Sequence, residues 1–348
     1  MLFSLPQIND FTYEIAQRMD IFPEGGRILF LTGEMGTGKT TITRKIGEYF
    51  GISNITSPTF AVLQSYEGKR SNGDPQKIFH LDLHRADDHR IAEIQETLEE
   101  SFSSENIYIL EWAPESLKAY FSSIPSLSIA LQHSQNPDSR DLEISFQNPF
   151  SVSVSHAQKM LNEFCTPVHV QKHIEMVRKV AVFCAQKLVK NRIPVDQELV
   201  EAGALLHDCV RYVDFSDLEN FDRYEEEVTE EKVSLWRRLH EEYKKTHHAD
   251  AMADILRKRE HEATAKVVGA HNTGAIYRSS PFSWEEICVY YGDKRALHDG
   301  IVSLKNRLED GKKRYAFEHS PHLEEKLFAL EKKLFTAGNI TEEEVMGL

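Results

Sequence analysis

Apolar residues recur at helical spacing across residues 9–22, where Phe11, Ile15, Met19 and Phe22 share a face behind Asp10, a candidate cap. PEGG (23–26) then breaks the pattern. RILFLT (27–32) is a continuous apolar run and predicts a buried strand, and TTITRKIGEYF (40–50) returns to the helical period. Further strands are predicted at FAVLQSY (60–66), IFHLDLH (78–84), IYILEW (107–112), SLSIAL (126–131) and LEISF (142–146). Strands interleaved with helices, then short strands with turns, predict an α/β domain over residues 1–149.

The pattern changes after QNPFSVSVSHAQ (147–158), and 150–156 is read as a linker. Helical periodicity runs through 158–191, 197–213, 228–246, 248–271, 283–309 and 321–335, which predicts an all-α domain over 157–335 and a tail at 336–348. Residues 217–245 carry EEEVTEEK and RRLHEEYKK, with Trp236 and Leu239 as apolar points, and predict a solvated helical insertion.

Length and charge narrow the function classes. A chain of 348 residues is long for a single domain, in keeping with two. A net charge of −14 argues against broad nucleic-acid binding, which needs phosphate-neutralising lysine and arginine, but leaves room for docking on a complex that itself holds RNA. No apolar run approaches the roughly 20 residues of a membrane span, and the N-terminal stretch lacks the pattern of a secretory signal. Four scattered cysteines without a CxxC pair argue against a disulfide framework and fit a cytoplasmic protein. Most of the sixteen histidines fall after residue 155, a first hint of a metal site there.

Gly33-Glu34-Met35-Gly36-Thr37-Gly38-Lys39-Thr40 matches G-x-x-x-x-G-K-[ST] between a predicted strand and a predicted helix, with Thr41 following. Such a loop turns backbone N–H groups toward phosphate oxygens at a helix N-terminus. Lys39 adds charge at the β/γ-phosphates, and Thr40 is a candidate Mg²⁺ ligand. Magnesium also needs a nearby carboxylate. Strand alternation in FHLDLHR (79–85) puts His80, Asp82 and His84 on one face, making Asp82 the candidate, and ILEW offers Glu111 beside Trp112.

GEMGTGKTT, TSPTF (56–60), HLDLHR (80–85) and LEW (110–112) together resemble the TsaE family over about residues 5–146. These are P-loop ATPases that support threonylcarbamoyl modification of tRNA adenosine 37. The resemblance implies a P-loop NTPase fold, slow Mg²⁺-dependent ATP hydrolysis, and TsaD and TsaB-like partners, with tRNA met only through that complex. It also implies that Thr56–Phe60 form a switch-like segment contacting ATP through Thr59, that Asp82 serves Mg²⁺, and that Glu111 and Trp112 line the nucleotide site. His84 stands where the family usually carries tyrosine.

The second half holds a different constellation. GALLHDCVR (203–211) places His207 and Asp208 side by side on a predicted helix. His173 shares a helix face with Val177 and Ala181, His271 ends an apolar helix, and Asp293 follows another. Inward-directed ligands on separate helices need partners, and a divalent metal supplies one. The order His…His-Asp…His…His…Asp resembles HD-domain metal-dependent phosphohydrolases over about 157–300, especially the branch that cleaves dinucleoside polyphosphates at a two-iron site. The resemblance implies a helical HD bundle and a further histidine, for which His248 fits with His247 as the alternative. It also implies that Asp208 bridges two metals and that Arg211, in HD-x-x-[KR], contacts phosphate. Fe, Mn, Zn and Ni all suit imidazole and carboxylate, and the resemblance points to iron or manganese. His240, His261, His298, His319 and His322 are expected to face solvent. The expected whole is a TsaE-like ATPase fused to a nucleotide phosphohydrolase acting on threonylcarbamoyl-adenylate, AMP or ADP, or a dinucleoside polyphosphate. The alternative is a helical domain that binds metal for docking or regulation without turnover.

Overall fold

The computed structural model describes residues 1–56, 63–84, 86–218, 226–315 and 321–348, and the chain divides into two units, Met1–Pro149 and Phe150–Leu348. The first is built as β1 (Leu2–Ser4), α1 (Leu5–Ile21), β2 (Ile28–Gly33), α2 (Lys39–Tyr49), β3 (Leu63–Lys69) and β4 (Pro75–Asp82). It continues as α3 (Asp88–Ser101), β5 (Ile107–Glu111), α4 (Glu115–Tyr120), β6 (Ser126–His133) and β7 (Ser139–Gln147). Among the described residues the strands form one sheet in the order β1-β7-β6-β2-β5-β4-β3. Its centre, β6-β2-β5-β4, is parallel, and its outer strands are antiparallel.

Central parallel strands are covered on both faces, which is why β2 reads as an unbroken apolar run. Leu29 and Leu31 join an apolar cluster with Ile15 and Met19 of α1 and Ile42 and Ile46 of α2. Ile28 and Phe30 join a second with Ile94 and Leu98 of α3 and Leu117 of α4. Helix α1 starts earlier than predicted, at Leu5 instead of behind Asp10, because the Gln7 side chain accepts from the Ser4 N–H at 2.9 Å. The predicted strand 60–66 is described only from Leu63. His84 lies in a turn beyond β4, so the predicted three-residue face ends at Asp82.

The second unit is mostly helical: α5 (Val154–Glu163), α6 (Val168–Lys190), α7 (Gln197–Leu206), α8 (Glu230–Glu242), α9 (His248–Lys258), α10 (Glu262–Gly269) and α11 (Trp284–Arg295). A short ladder of β8 (Ala296–Leu297) and β9 (Gly300–Ile301) precedes α12 (Leu304–Tyr315), α13 (Pro321–Gly338) and α14 (Glu342–Met346). No helix among the described residues is long and apolar enough to cross a membrane.

Several predicted helices are interrupted. Residues 158–191 split at Phe164–Pro167, where Cys165 takes φ 51° and Pro167, lacking an N–H, opens α6. Residues 248–271 split at Glu260 (φ 63°), and the β8–β9 ladder divides 283–309. The helix predicted over 197–213 ends at Leu206, with a tighter 3₁₀ turn at Arg211–Asp214. The charged insertion is not merely solvated, for Val233, Trp236 and Leu239 of α8 are buried and Trp236 Nε1 donates to the Cys165 carbonyl at 3.0 Å. The 150–156 stretch is also packed: Val152 is buried and its N–H donates to Thr264 Oγ1 at 2.8 Å. The segment read as a tail forms α14, whose Glu342 pairs with buried Arg295 at 2.8 Å.

Candidate functional site

Gly33 closes β2, Glu34 to Gly38 cross over, and Lys39, Thr40 and Thr41 open α2, so the loop lies at the carboxyl ends of the parallel strands. Gly33 takes φ +138°, and a Cβ there would fall 2.1 Å from the Leu131 carbonyl oxygen. Only glycine fits. Lys39 Nζ donates to the Gly33 and Glu34 carbonyls at 2.9 and 2.8 Å and sits 3.9 Å from the centre of the Trp112 ring. Burial pulls the Lys39 ammonium below its usual range, while Glu111 and Asp82 pull the other way. Trp112 holds the left-handed φ of 62°, a costly conformation for a bulky residue and one that clusters at functional sites.

Register brings Asp82 of β4 beside Glu111 of β5. Glu111 is the buried acid of this pair, 2% exposed. Its Oε2 accepts from Thr40 Oγ1 at 3.1 Å, its Oε1 accepts from Thr43 Oγ1 at 3.1 Å, and His80 Nε2 lies 2.9 Å from Oε1. Thr40 and Asp82 are the Mg²⁺ ligands expected from the sequence, and the carboxylate bonded to the Thr40 hydroxyl is Glu111. Asp82 Oδ1 instead accepts from the His84 N–H at 3.2 Å, and the His84 ring contacts Trp112 edge-on at 4.7 Å. Thr43 was missed; it lies one helical turn after Lys39, a spacing the sequence displayed without naming its partner. Met35 is 69% exposed. Thr59 and the rest of TSPTF after Thr56 lie outside the described residues.

The second site gathers side chains from α6, the end of α7, the start of α9, the end of α10 and α11. His207 and Asp208 are not two faces of one helix: His207 caps α7 and Asp208 follows in the turn, which lets both reach inward. Asp208 stands between two imidazole pairs. Its Oδ1 lies 2.8 Å from His248 Nε2 and 3.4 Å from His271 Nε2. Its Oδ2 lies 3.8 Å from His173 Nε2 and 3.8 Å from His207 Nε2. Asp293 joins the second pair through Oδ1, 3.3 Å from His173 Nε2. His248 reaches Asp208, whereas His247 caps α9, its Nδ1 accepting from the Ala249 N–H at 3.1 Å.

The ring tautomers suit a cation. His207 Nδ1 and His271 Nδ1 each lie 2.7 Å from a carbonyl, of Ala204 and Val268. A carbonyl can only accept, so the proton is on Nδ1 and Nε2 presents a lone pair inward. His207 Nε2 is buried without a hydrogen-bond partner among the described residues, and burial holds this imidazole down to about 4. His248 Nδ1 pairs with Asp214, whose Oδ1 also accepts the His248 N–H at 3.1 Å. The Nε2 atoms of His248 and His271 lie 2.9 Å apart, close to the ~3.0 Å between adjacent ligands at right angles around an ion bound at about 2.1 Å. Lone pairs turned together at that distance repel unless a proton or cation joins them.

Burial alone would raise the Asp208 and Asp293 carboxyls; His207, His248 and Arg211 hold the first well below its usual range, and Lys294 and His173 the second. His248 shows the complement, its burial outweighed by Asp208 and Asp214, which raise it. Arg211 Nη1 lies 2.9 Å from His248 Nε2 and 3.6 Å from Asp214. Among the described residues, three overlapping groups have ligand atoms within 4.8 Å of one another: His173–His207–Asp208, Asp208–His248–His271 and Asp214–His247–His248. Asp214 and Lys294 were missed in the sequence; Asp214 follows HD-x-x-R by three residues but has no motif of its own. Of the remaining histidines, His298 and His322 are exposed, His240 and His261 are half-buried, and His319 lies outside the described residues.

A glycine-rich turn between a central parallel strand and a helix, with a buried acid on the next strand, defines a P-loop nucleotide-binding domain. Residues 6–142 match the family model described as "Threonylcarbamoyl adenosine biosynthesis protein TsaE". Relatives called tRNA threonylcarbamoyladenosine biosynthesis protein TsaE include one from Bacillus subtilis, 34% identical over 29% of this chain and 60% of its own length. One from Streptomyces coelicolor is 31% identical over 28% of this chain and 65% of its own length, and one from Aquifex aeolicus 30% identical over 29% and 68%. The chain belongs to the TsaE family. It spans 60% and 65% of the length of the first two of these relatives.

Proposed function

We propose that the N-terminal domain binds Mg²⁺–ATP and hydrolyses it slowly in support of N6-threonylcarbamoyladenosine formation at tRNA position 37, together with TsaD and TsaB-like proteins. In this reading Lys39 holds the β/γ-phosphates, and Thr40 with Asp82 and Glu111 serves Mg²⁺. Trp112 and the residues from Gly33 to Thr41 enclose the nucleotide. Support comes from family membership and from the Thr40–Glu111 contact of 3.1 Å.

The C-terminal domain we read as an HD-type metal-dependent hydrolase of a phosphoester or phosphoanhydride bond in a nucleotide. The observation that carries this reading is Asp208, whose two carboxylate oxygens face different imidazole pairs. His173, His207, Asp208 and Asp293 would hold one divalent ion, and Asp208, His248 and His271 another, with iron or manganese favoured over zinc or nickel. When bound, such ions lower the pKa of water toward neutrality and offset charge on phosphoryl oxygens. The chain's own residues orient the imidazoles and bring Arg211 and Lys294 beside the ligands.

Metal analysis of the full chain, followed by a nucleotide panel with product identification, tests both halves. Wild type is expected to carry one or two transition-metal ions and to hydrolyse at least one nucleotide besides ATP. His207→Ala should lose metal and slow that second activity at least ~100-fold, while ATP hydrolysis persists. Lys39→Ala should do the reverse. Undiminished second-site hydrolysis in His207→Ala would refute the hydrolase, and metal binding without any turnover would leave a docking module.

A further inference from the structure

The cavity beside the histidine cluster has a volume of about 670 Å³, the size of a small-molecule site. Its lining changes character away from the ligands. Helices α12 and α13, which carry none of the candidate ligands, contribute Arg307, Leu308, Leu323 and Leu327. The three leucines belong to one buried apolar cluster with Tyr290, which stands one helical turn before Asp293 on α11. An apolar wall is thereby anchored next to a candidate metal ligand.

Arg307 is the polar member of this wall. Its Nε is buried and has no hydrogen-bond partner among the described residues, and its Nη1 lies 3.7 Å from Asp310 Oδ2, beyond hydrogen-bond range. A buried guanidinium N–H without an acceptor is unusual and needs a reason. That nitrogen is itself covered, but the side chain as a whole is 25% exposed and lines the cavity, so a ligand with acceptors and a flat apolar face can meet the guanidinium there. A phosphate chain does not suit this wall, because ionised oxygens against leucine lose their hydration without compensation. A nucleoside does, since its base has uncharged faces and acceptors at its edge, and a guanidinium can stack on it or donate to it.

We infer that Arg307, with Leu308, Leu323 and Leu327, forms the nucleoside subsite of this cavity, so that the site takes a nucleoside monophosphate or the corresponding half of a larger phosphoanhydride. The inference rests on reading the cavity as the hydrolase site. Lys294, 2.6 Å from Asp293 Oδ2, and Arg211, against His248, remain on the phosphate side.

Calorimetry on the full chain carrying Lys39→Ala, which silences the ATP loop, and loaded with Mn²⁺ tests the assignment with AMP and inorganic phosphate as probes. Arg307→Ala and Arg307→Gln should each weaken AMP at least ~10-fold, as expected for losing a hydrogen bond to a charged group, and leave phosphate within about twofold. Retained phosphate affinity also shows that the variant site is folded. AMP binding unchanged in both variants overturns the subsite. So does parallel loss of phosphate, or a parent chain that binds AMP no better than phosphate. Because binding is read without turnover, Arg307-dependent AMP binding in a chain that hydrolyses no nucleotide would retire the hydrolase reading and leave the subsite standing.

Discussion

An imidazole serves as a ligand only when the nitrogen facing the ion is unprotonated, and here a partner on the opposite nitrogen decides that. Ala204 and Val268 do so for His207 and His271 through carbonyls three residues earlier, and Asp214 does so for His248. The histidines and aspartates were legible because HD and the spaced imidazoles form a pattern. Their supports were not, since a carbonyl's direction and the fold of the turn after Arg211 leave no mark in composition. Glu111 gives the same lesson: the motif displayed it, but only the β4–β5 register and α2 show it bonded to Thr40. Asp214→Ala should lower metal affinity about 10- to 100-fold, as for other carboxylates behind a ligating histidine. Titration with Mn²⁺ at neutral pH measures it, and an unchanged affinity would deny Asp214 a positioning role.

Helices α6 and α11 carry His173 and Asp293, and Gly292 of α11 packs against Val177 and Ala181 of α6. A Cβ there would lie 2.8 Å from the Val177 carbonyl oxygen and 3.2 Å from Val177 Cγ1. Val177 follows His173 by one turn and Asp293 follows Gly292, so forcing these helices apart moves two candidate ligands. Gly292→Ala should therefore cost about 1–3 kcal/mol of stability and reduce the stabilisation that Mn²⁺ confers. Denaturant melts with and without Mn²⁺ check this; equal melts for variant and wild type in both conditions would show that the contact relaxes freely. Periodicity anticipated α5 to α13 but ran several together, and it missed α14. The breaks fall at Cys165 and Glu260, non-glycine residues in the left-handed region, where tertiary packing overrides local preference. Early in the chain, β1 and α3 were also overlooked. The three residues of β1 are too few to show alternation, and among the described side chains of the largely polar α3 only Ile94 and Leu98 are buried.

At the scale of the whole molecule, one chain carries a phosphate loop in its first unit and a cluster of imidazoles and carboxylates in its second, built on different physics. In the first, backbone N–H groups and a lysine meet the phosphates at the head of a helix. In the second, converging imidazoles and carboxylates ask for cations. The phosphate loop of the first was legible, because it is contiguous in sequence and its neighbours are fixed by a parallel sheet, whereas the expected contact through Thr59 falls outside the described residues. The second depends on residues as far apart as His173 and Asp293, and the sequence could propose their meeting without showing it. Diffraction from Mn²⁺-soaked crystals of the full chain, recorded for anomalous scattering, tests the central claim most directly. Two peaks should flank the Asp208 carboxylate, one beside His173, His207 and Asp293, the other beside His248 and His271. A single peak, or none in contact with Asp208, would contradict the two-ion account.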